Sequence, residues 1–135
     1  LRWGMVAESG VVIGRSIGLA LVVVGTAFNV WGRLHLGANW ADHVRIYANQ
    51  TLVTGGPYRV VRHPLYASLL WMFYGASLAY LNPLAALETT LIFLPGMWYR
   101  SNLEEMVLLE RFGDAYRAYR ARTGRFLPRW GRATP

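Results

Sequence analysis

The sequence predicts an all-α fold, an integral membrane helical bundle with about three transmembrane helices plus cytosolic C-terminal helices. Hydrophobic residues make up 54% of the 135 residues and charged residues only 16%, a high apolar share for a protein whose surface must face water. The apolar residues gather in three runs, at 11–31, 65–81 and 84–99, and the charges cluster outside them. At this length we expect a single domain over residues 1–135.

The first apolar run, 11–31, has about the 20 residues that a helix needs to cross the hydrocarbon core. Gly14 and Gly18 form a GxxxG pair, and Gly25 and Gly32 continue along roughly the same face. This pattern favours close approach by another transmembrane helix. It makes the glycine face a candidate surface for homo-oligomerisation, although glycine is also simply common in such helices.

The second and third runs, 65–81 and 84–99, are each near the short limit for a span. Only Asn82 and Pro83 separate them. An Asn-Pro pair between two such runs is typical of a tight turn, so the two runs are predicted to form a helical hairpin.

The basic residues predict the orientation in the membrane. The chain carries a net charge of +7, from fourteen arginines and no lysine. Arginines concentrate in the loop 36–63 and the tail 100–135, whereas the Asn82-Pro83 turn has no charge. The positive-inside rule therefore places loop and tail in the cytoplasm, facing anionic lipid. Nucleic-acid binding, the other reading of a basic chain, is disfavoured by the apolar spans.

Several classes of site are excluded by missing residues or motifs. The chain has no cysteine, which rules out disulfides, thiol catalysis and cysteine metal ligands. His35, His43 and His63 do not have the spacing of a metal site, so no metal is expected. The glycine-rich nucleotide motifs GxGxxG and GxxxxGK[ST] are absent as well.

The segment around Pro64 is the first candidate site. Proline suits the first turn of a helix, and the amides of a helix start bind carboxylates or phosphates. His63 and Tyr66 are placed to donate further hydrogen bonds to such an anion. The alternative is an ordinary helix start with interfacial aromatic residues.

Arg100 and Glu104 form the second candidate site. They lie four apart and would share a helix face where the third run leaves the membrane, a depth at which charged pairs are often functional. Two plainer interpretations remain open: an intrahelical ion pair, and a capping box from Ser101 to Glu104 that starts a new helix. Glu105 is predicted to be a solvated surface charge.

Beyond these residues the tail is predicted to be helical. Gly113 and Asp114 offer a break, and a second short helix follows over 115–122. Three hydrophobic residues among the final arginines suit an interfacial anchor: Phe126, Leu127 and Trp130.

Two motifs resemble one known superfamily. The first is QTLVTGGPY (residues 50–58) followed by RHPLY (62–66), and the second is RSNLEEMVLLERFGDAYRAY (100–119) followed by RFLP (125–128). Together they resemble the central and C-terminal signatures of the isoprenylcysteine carboxyl methyltransferase and phospholipid methyltransferase superfamily. The resemblance covers roughly 43–130, and two separated motifs at the expected spacing make it specific.

The resemblance implies that S-adenosylmethionine binds in a cytosolic pocket closed by the loop and the tail. It implies substrate handling by Arg100 and catalytic participation of Glu104. The positions that it assigns to cofactor binding are His43, Gln50, Thr51, Leu52, Val53, Tyr58, His63, Pro64, Leu65, Tyr66 and Glu104.

The implied acceptor is a lipophilic molecule or lipid in the membrane, with no nucleic acid involved. A carboxylate acceptor needs no general base, whereas an amine acceptor needs one, for which Glu104 or Glu105 is the candidate. Only one helix precedes the loop, which is similar to bacterial members and implies the bacterial inner membrane. The lipid groove is then smaller, or is completed by a second copy.

Two alternatives to the methyltransferase stay open. Membrane sterol and steroid reductases have a similar C-terminal core and a related His-Pro-x-Tyr segment, but use NADPH. The other alternative is a non-catalytic membrane scaffold.

Overall fold

The computed structural model describes residues 2–39 and 50–129. Within these ranges the chain is helical and has no strand, only an isolated parallel bridge between Val61 and Gly124. The predicted all-α fold is thus confirmed. The helices are α1 (Arg2–Leu36), α2 (Pro64–Ala79), α3 (Pro83–Glu88), α4 (Leu94–Phe112) and α5 (Asp114–Arg122), with 3₁₀ turns at Gly37–Asn39 and Gly56–Arg59 and a π turn at Thr89–Phe93.

Helix α1 is longer at both ends than the predicted span 11–31. Its stretch Glu8–Leu36 is long and apolar enough to cross a membrane, and few of its side chains are buried inside the protein. Among the described residues it is the one helix that meets this test. The second and third spans therefore stay predictions.

The glycines of α1 let α2 approach closely. A Cβ placed on Gly18 would lie 2.5 Å from the carbonyl oxygen of Gly75, and one on Gly25 would lie 3.0 Å from that of Ser68. The predicted close approach is confirmed, but the partner is α2 of the same chain. Homo-oligomerisation through this face is therefore a wrong prediction, because α2 already covers it.

The predicted hairpin after α2 is confirmed. Leu81 adopts a positive φ of 52°, which turns the chain, and Asn82 caps the next helix. The Asn82 side-chain oxygen accepts hydrogen bonds from the amides of Leu84 and Ala85 at 3.1 and 3.2 Å. These bonds satisfy two amides that a helix start otherwise leaves unpaired.

Helices α3 and α4 follow one another through the π turn without a break. Pro95 has no N–H to donate, which disturbs the regular ladder, and the amide of Leu94 instead reaches back five residues to the carbonyl of Thr89. The third predicted run and the start of the tail are thus one helix. Ser101 lies inside it, fully buried and bonded to the carbonyl of Trp98 at 2.8 Å, so the capping-box interpretation is wrong.

Glu105 is buried, which makes the prediction of a solvated surface charge wrong. It is 4% exposed. Its carboxylate oxygens lie 2.9 Å from Nε of Arg62, 3.1 Å from Nε2 of His63 and 3.4 Å from Nη2 of Arg125. Burial by itself would raise the pKa of Glu105, but the hydrogen bonds and charges of His63 and Arg62 more than offset it and hold the pKa at about 2.

The tail returns to the start of α2. The amide of Arg62 donates to the carbonyl of Gly124 at 2.8 Å, and that of His63 donates to the carbonyl of Arg125 at 3.1 Å. Sequence alone predicted a helix break at Gly113, which is confirmed by α5, but it did not predict this return.

The return of the tail decides where its hydrophobic residues lie. Phe126 is 8% exposed and packs edge-on against His63 and Trp98, so its prediction as an interfacial anchor is wrong. Leu127 is exposed, and Trp130 lies outside the described residues.

Replacing Gly18 by alanine should destabilise the fold by about 1 to 3 kcal/mol, the usual cost of overpacking. The matched control is Gly10→Ala on the same helix, where a Cβ meets nothing within 4 Å and helix propensity favours alanine. Melting temperatures in detergent check the pair. Equal melting temperatures for both variants would contradict the close packing of α1 on α2.

Replacing Glu105 by glutamine should lower stability at neutral pH by about 3 to 5 kcal/mol, because it leaves buried cations uncompensated. A carboxylate with a lowered pKa stabilises the fold above its ordinary pKa, and this contribution is lost as pH falls. The melting temperature of the unmodified protein should therefore drop between about pH 5 and the Glu105 pKa of about 2, and that of Glu105→Gln should drop less. Glu110→Gln, at an exposed position of α4, is the control. If the melting temperatures of Glu105→Gln and of the unmodified protein depend on pH in the same way, Glu105 is not the source of this pH dependence.

Candidate active site

A cavity of about 410 Å³ lies between α1, α2, α4, α5 and the segment 50–53. Its volume is within the range of ligand pockets. Ten residues predicted from the sequence line it: Gln50, Thr51, Leu52, Val53, Tyr58, His63, Leu65, Tyr66, Arg100 and Glu104.

Two predicted site residues do not join this set. Pro64 is the buried first residue of α2 and is not among the described residues that line the cavity. Its role in the structure is to start the helix that carries Leu65 and Tyr66. His43 lies outside the described residues.

The segment 50–53 reaches the cavity because the 3₁₀ turn Gly37–Asn39, directly after α1, holds it. Asn39 accepts a hydrogen bond from the amide of Thr51 at 2.9 Å and donates one to its hydroxyl at 3.2 Å. The next turn brings in Tyr58, which is buried and whose carbonyl accepts a bond from the hydroxyl of Tyr119 at 2.8 Å. Burial raises the pKa of Tyr58, so its hydroxyl stays protonated at neutral pH.

Glu104, on α4, contacts side chains at the start of α2. The hydroxyl of Tyr66 donates to Glu104, while Nε of Arg100 donates to the Tyr66 hydroxyl at 2.7 Å. Nδ1 of His63 lies 3.5 Å from the Glu104 carboxylate. The intrahelical ion pair between Arg100 and Glu104 does form, at 3.6 Å, but both residues also contact Tyr66.

His63 lies between two carboxylates. One ring nitrogen faces Glu104, and the other contacts the buried Glu105 at 3.1 Å. The ring stacks on Tyr66 with a centroid distance of 5.7 Å and an interplanar angle of 15°. The side chain of His63, the N-cap residue of α2, makes no capping hydrogen bond to the described part of the chain. Glu105 therefore positions His63, and His63 and Tyr66 together position Glu104.

Two buried polar atoms beside the cavity have no hydrogen-bond partner among the described residues: the side-chain oxygen of Gln50 and the hydroxyl of Tyr116. Buried polar atoms are normally paired. Burial is the main cause that raises the pKa of Tyr116, so this hydroxyl is neutral and able to donate or accept. Both atoms are suited to hydrogen bonds with a polar ligand.

Sequence reasoning missed the contribution of α1. Asn29 and Arg33 line the cavity as well. A polar residue inside a predicted span is a signal for function, and Asn29 within 11–31 provided that signal. Tyr116 and Tyr119 of α5 also line the cavity, and no local pattern in the sequence shows what the helix face that carries them contacts.

Comparison with known proteins agrees with the resemblance. A model of the phospholipid methyltransferase family matches residues 13–115. A probable protein-S-isoprenylcysteine O-methyltransferase from Oryza sativa subsp. indica is 31% identical over 114 residues, which are 83% of this chain and 60% of the rice protein. A methanethiol S-methyltransferase from Pseudomonas deceptionensis is 38% identical over 72 residues, 53% of this chain and 26% of that enzyme.

A solved structure is similar too. The eukaryotic intramembrane Ras methyltransferase, an isoprenylcysteine carboxyl methyltransferase, superimposes with a TM-score of 0.75 at 28% identity, covering 84% of this chain and 42% of that one. The chain thus spans about half the length of the methyltransferases that it matches. Because the family model matches most of the chain, and because the fold and both motifs agree with it, this chain belongs to the phospholipid methyltransferase family.

Proposed function

We propose that the protein catalyses S-adenosylmethionine-dependent methyl transfer to a membrane-associated, lipophilic acceptor. The observation that carries this proposal is the convergence of His63, Tyr66 and Arg100 on Glu104 at the wall of one cavity. The relatives that share this fold and these motifs are named methyltransferases.

The cavity fits the cofactor's chemistry at several points. The Gln50 side-chain oxygen, which has no hydrogen-bond partner among the described residues, suits a donor such as an exocyclic amino group, and the Tyr116 hydroxyl suits a sugar hydroxyl. Glu104 keeps 28% of its side chain exposed, and a carboxylate there suits a positively charged group. The backbone amides at the start of α2 suit a carboxylate, and the face of Tyr58 suits the adenine or a cation.

The remaining predicted contacts belong to the same proposal. His43 stays a proposed cofactor contact, as do the backbone and side chains of Thr51, Leu52 and Val53. Pro64 is proposed to act through the helix start that it creates.

S-adenosylmethionine supplies, when bound, a methyl group on a positively charged sulfur. The residues of the chain then have to align the acceptor and exclude water. Arg100, held at Nε by the Tyr66 hydroxyl, is placed to orient the acceptor.

The structure narrows the choice of general base. A carboxylate acceptor needs none, whereas an amine acceptor must lose a proton. Glu105 is buried beneath cations with a pKa of about 2, so it is a poor proton acceptor at neutral pH. Glu104, which lines the cavity, is the proposed base for an amine.

The membrane arrangement completes the proposal. We place the loop 36–63 and the tail 100–135 in the cytoplasm of a bacterium, with the predicted spans 11–31, 65–81 and 84–99 crossing the inner membrane. The cofactor then enters from the cytoplasm and the acceptor from the bilayer, which suits a cavity lined by both polar and apolar side chains.

Equilibrium binding to the detergent-solubilised protein tests the cofactor. S-adenosylhomocysteine should bind and NADPH should not. Glu104→Ala and Tyr66→Phe should each weaken S-adenosylhomocysteine binding by about ten-fold or more, since each removes a charge-assisted hydrogen bond.

Glu110→Ala is the matched control for this experiment, because Glu110 is an exposed acid on the same helix. It should bind S-adenosylhomocysteine like the unmodified protein. Tighter binding of NADPH than of S-adenosylhomocysteine would indicate a reductase instead of a methyltransferase. Unchanged affinity in both site variants would remove the site assignment and leave the fold as it is.

Methyl-labelled cofactor tests the acceptor. Membranes that contain the protein should incorporate label into a lipid-extractable product. Label released by mild base identifies a methyl ester and hence a carboxylate acceptor, whereas stable label identifies N- or S-methylation. Label that stays entirely in water-soluble products would contradict a lipophilic acceptor.

A further inference from the structure

A second cavity, of about 430 Å³, lies at the hairpin end of α2, between this helix and the segment that runs through α3 into the π turn. It shares no lining residue with the candidate active site in the described part of the chain. Ser77, in its wall, follows Tyr66 by eleven residues on α2, which is about 16 Å along the helix axis. The two cavities are therefore separate.

Glu88 gives this second cavity its charge. It is the only charged residue in the stretch 64–99, and it lines the cavity. Within residues 2–39 and 50–129 it forms no ion pair. An ionisable group inside an apolar helical hairpin is costly and usually has a functional partner. A carboxylate in this position favours a cationic ligand.

Two buried hydroxyl groups add hydrogen-bond acceptors to the same cavity. Ser77 and Thr89 are 6% and 5% exposed and lie in its opposite walls. The Ser77 hydroxyl donates to the carbonyl of Phe73, and the Thr89 hydroxyl donates to the carbonyl of Ala85, each at 2.8 Å. Because each hydrogen is used within its own helix, the two oxygens are left to accept from a ligand. A ligand with several N–H donors matches these oxygens and the carboxylate of Glu88.

The π turn Thr89–Phe93 shapes the inner part of the cavity. Such turns insert an extra residue into a helix and often occur at functional sites. Phe93 of this turn packs on Phe73 of α2 with a centroid distance of 4.5 Å, which makes the cavity apolar at the level furthest from the hairpin turn. Tyr80, close to the hairpin turn, is exposed. The cavity is thus polar near the end of the hairpin and apolar toward its middle, as a lipid is from head group to tail.

We propose that this second cavity binds a membrane lipid whose head group carries a primary ammonium. Glu88 supplies the counter-charge, the oxygens of Ser77 and Thr89 accept N–H bonds, and the lipid tail lies along Phe73 and Phe93. A trimethylammonium group fits less well, since it has no N–H to donate. The proposal is independent of methyl transfer, because the ammonium lies at the other end of α2 from the candidate active site.

Amphiphiles with one tail and different head groups test the proposal. The protein, solubilised in dodecyl maltoside at neutral pH, is titrated with radiolabelled oleylamine, oleyltrimethylammonium and oleyl alcohol, and binding to empty micelles is subtracted. Oleylamine should bind about ten-fold or more tightly than either of the others, the ratio expected from hydrogen bonds between charged groups.

Four variants separate recognition from packing. Glu88→Gln should remove most of the preference for oleylamine over oleyl alcohol, and Thr89→Val should reduce the preference over oleyltrimethylammonium. Two controls should leave both preferences unchanged: Glu8→Gln, at an exposed acid of α1, and Tyr66→Phe, in the candidate active site. Glu88 is itself exposed, so its replacement spares the packing, and a ratio of affinities is insensitive to a general loss of stability.

Competition identifies the source of the ammonium group. Dioleoyl phosphatidylethanolamine should displace bound oleylamine, whereas free ethanolamine at the same concentration should not; displacement by both overturns the assignment to a lipid. Equal affinity for oleylamine and either of the other amphiphiles overturns the ammonium site, as does a preference that persists in Glu88→Gln. Loss of the preference in Tyr66→Phe would place the amine in the candidate active site and likewise overturns the second site.

Discussion

Glu105 is buried beneath His63 and three arginines, Arg62, Arg120 and Arg125, and this is the interaction on which the site depends. Arg62 and His63 come from the start of α2 and Arg125 comes from the tail, so one carboxylate joins three segments that are far apart in the sequence. A buried charge must be paired, and this requirement fixes the position of α4 relative to α2. The tail is held at the same place by its backbone bonds to Arg62 and His63.

The adjacent carboxylates Glu104 and Glu105 have different roles because His63 lies between them. Glu105 is enclosed by cations and holds one side of the ring, whereas Glu104 meets the other side and faces the cavity. The buried Glu105 thereby orients Glu104 through the imidazole ring of His63. Tyr66, stacked on that imidazole, connects Glu104 to Arg100 and so links the proposed cofactor contact to the proposed acceptor contact.

The remaining wall of the site comes from the packing of α1 on α2. Glycines at 18, 25 and 75 allow the two backbones to come together, and this short separation lets Asn29 reach Ser68 and the carbonyl of Leu65. Apolar helices in lipid associate through such close packing and through hydrogen bonds between helices. The same contact that assembles the bundle therefore also orients Arg33 toward the cavity.

The sequence alone determined those features that depend on residues close to one another along the chain. The apolar runs and the spacing of the glycines predicted α1 and its close packing, Asn82 and Pro83 predicted the hairpin, and the two motifs predicted ten of the residues around the cavity. Only the tertiary structure decided which helix the glycines contact, that Glu105 and Phe126 are buried, and that Asn29 and Arg33 face the site. Those outcomes rest on contacts such as Arg62 with Glu105, 43 residues apart, and no local pattern reports the burial or the charge that a distant segment brings to a residue.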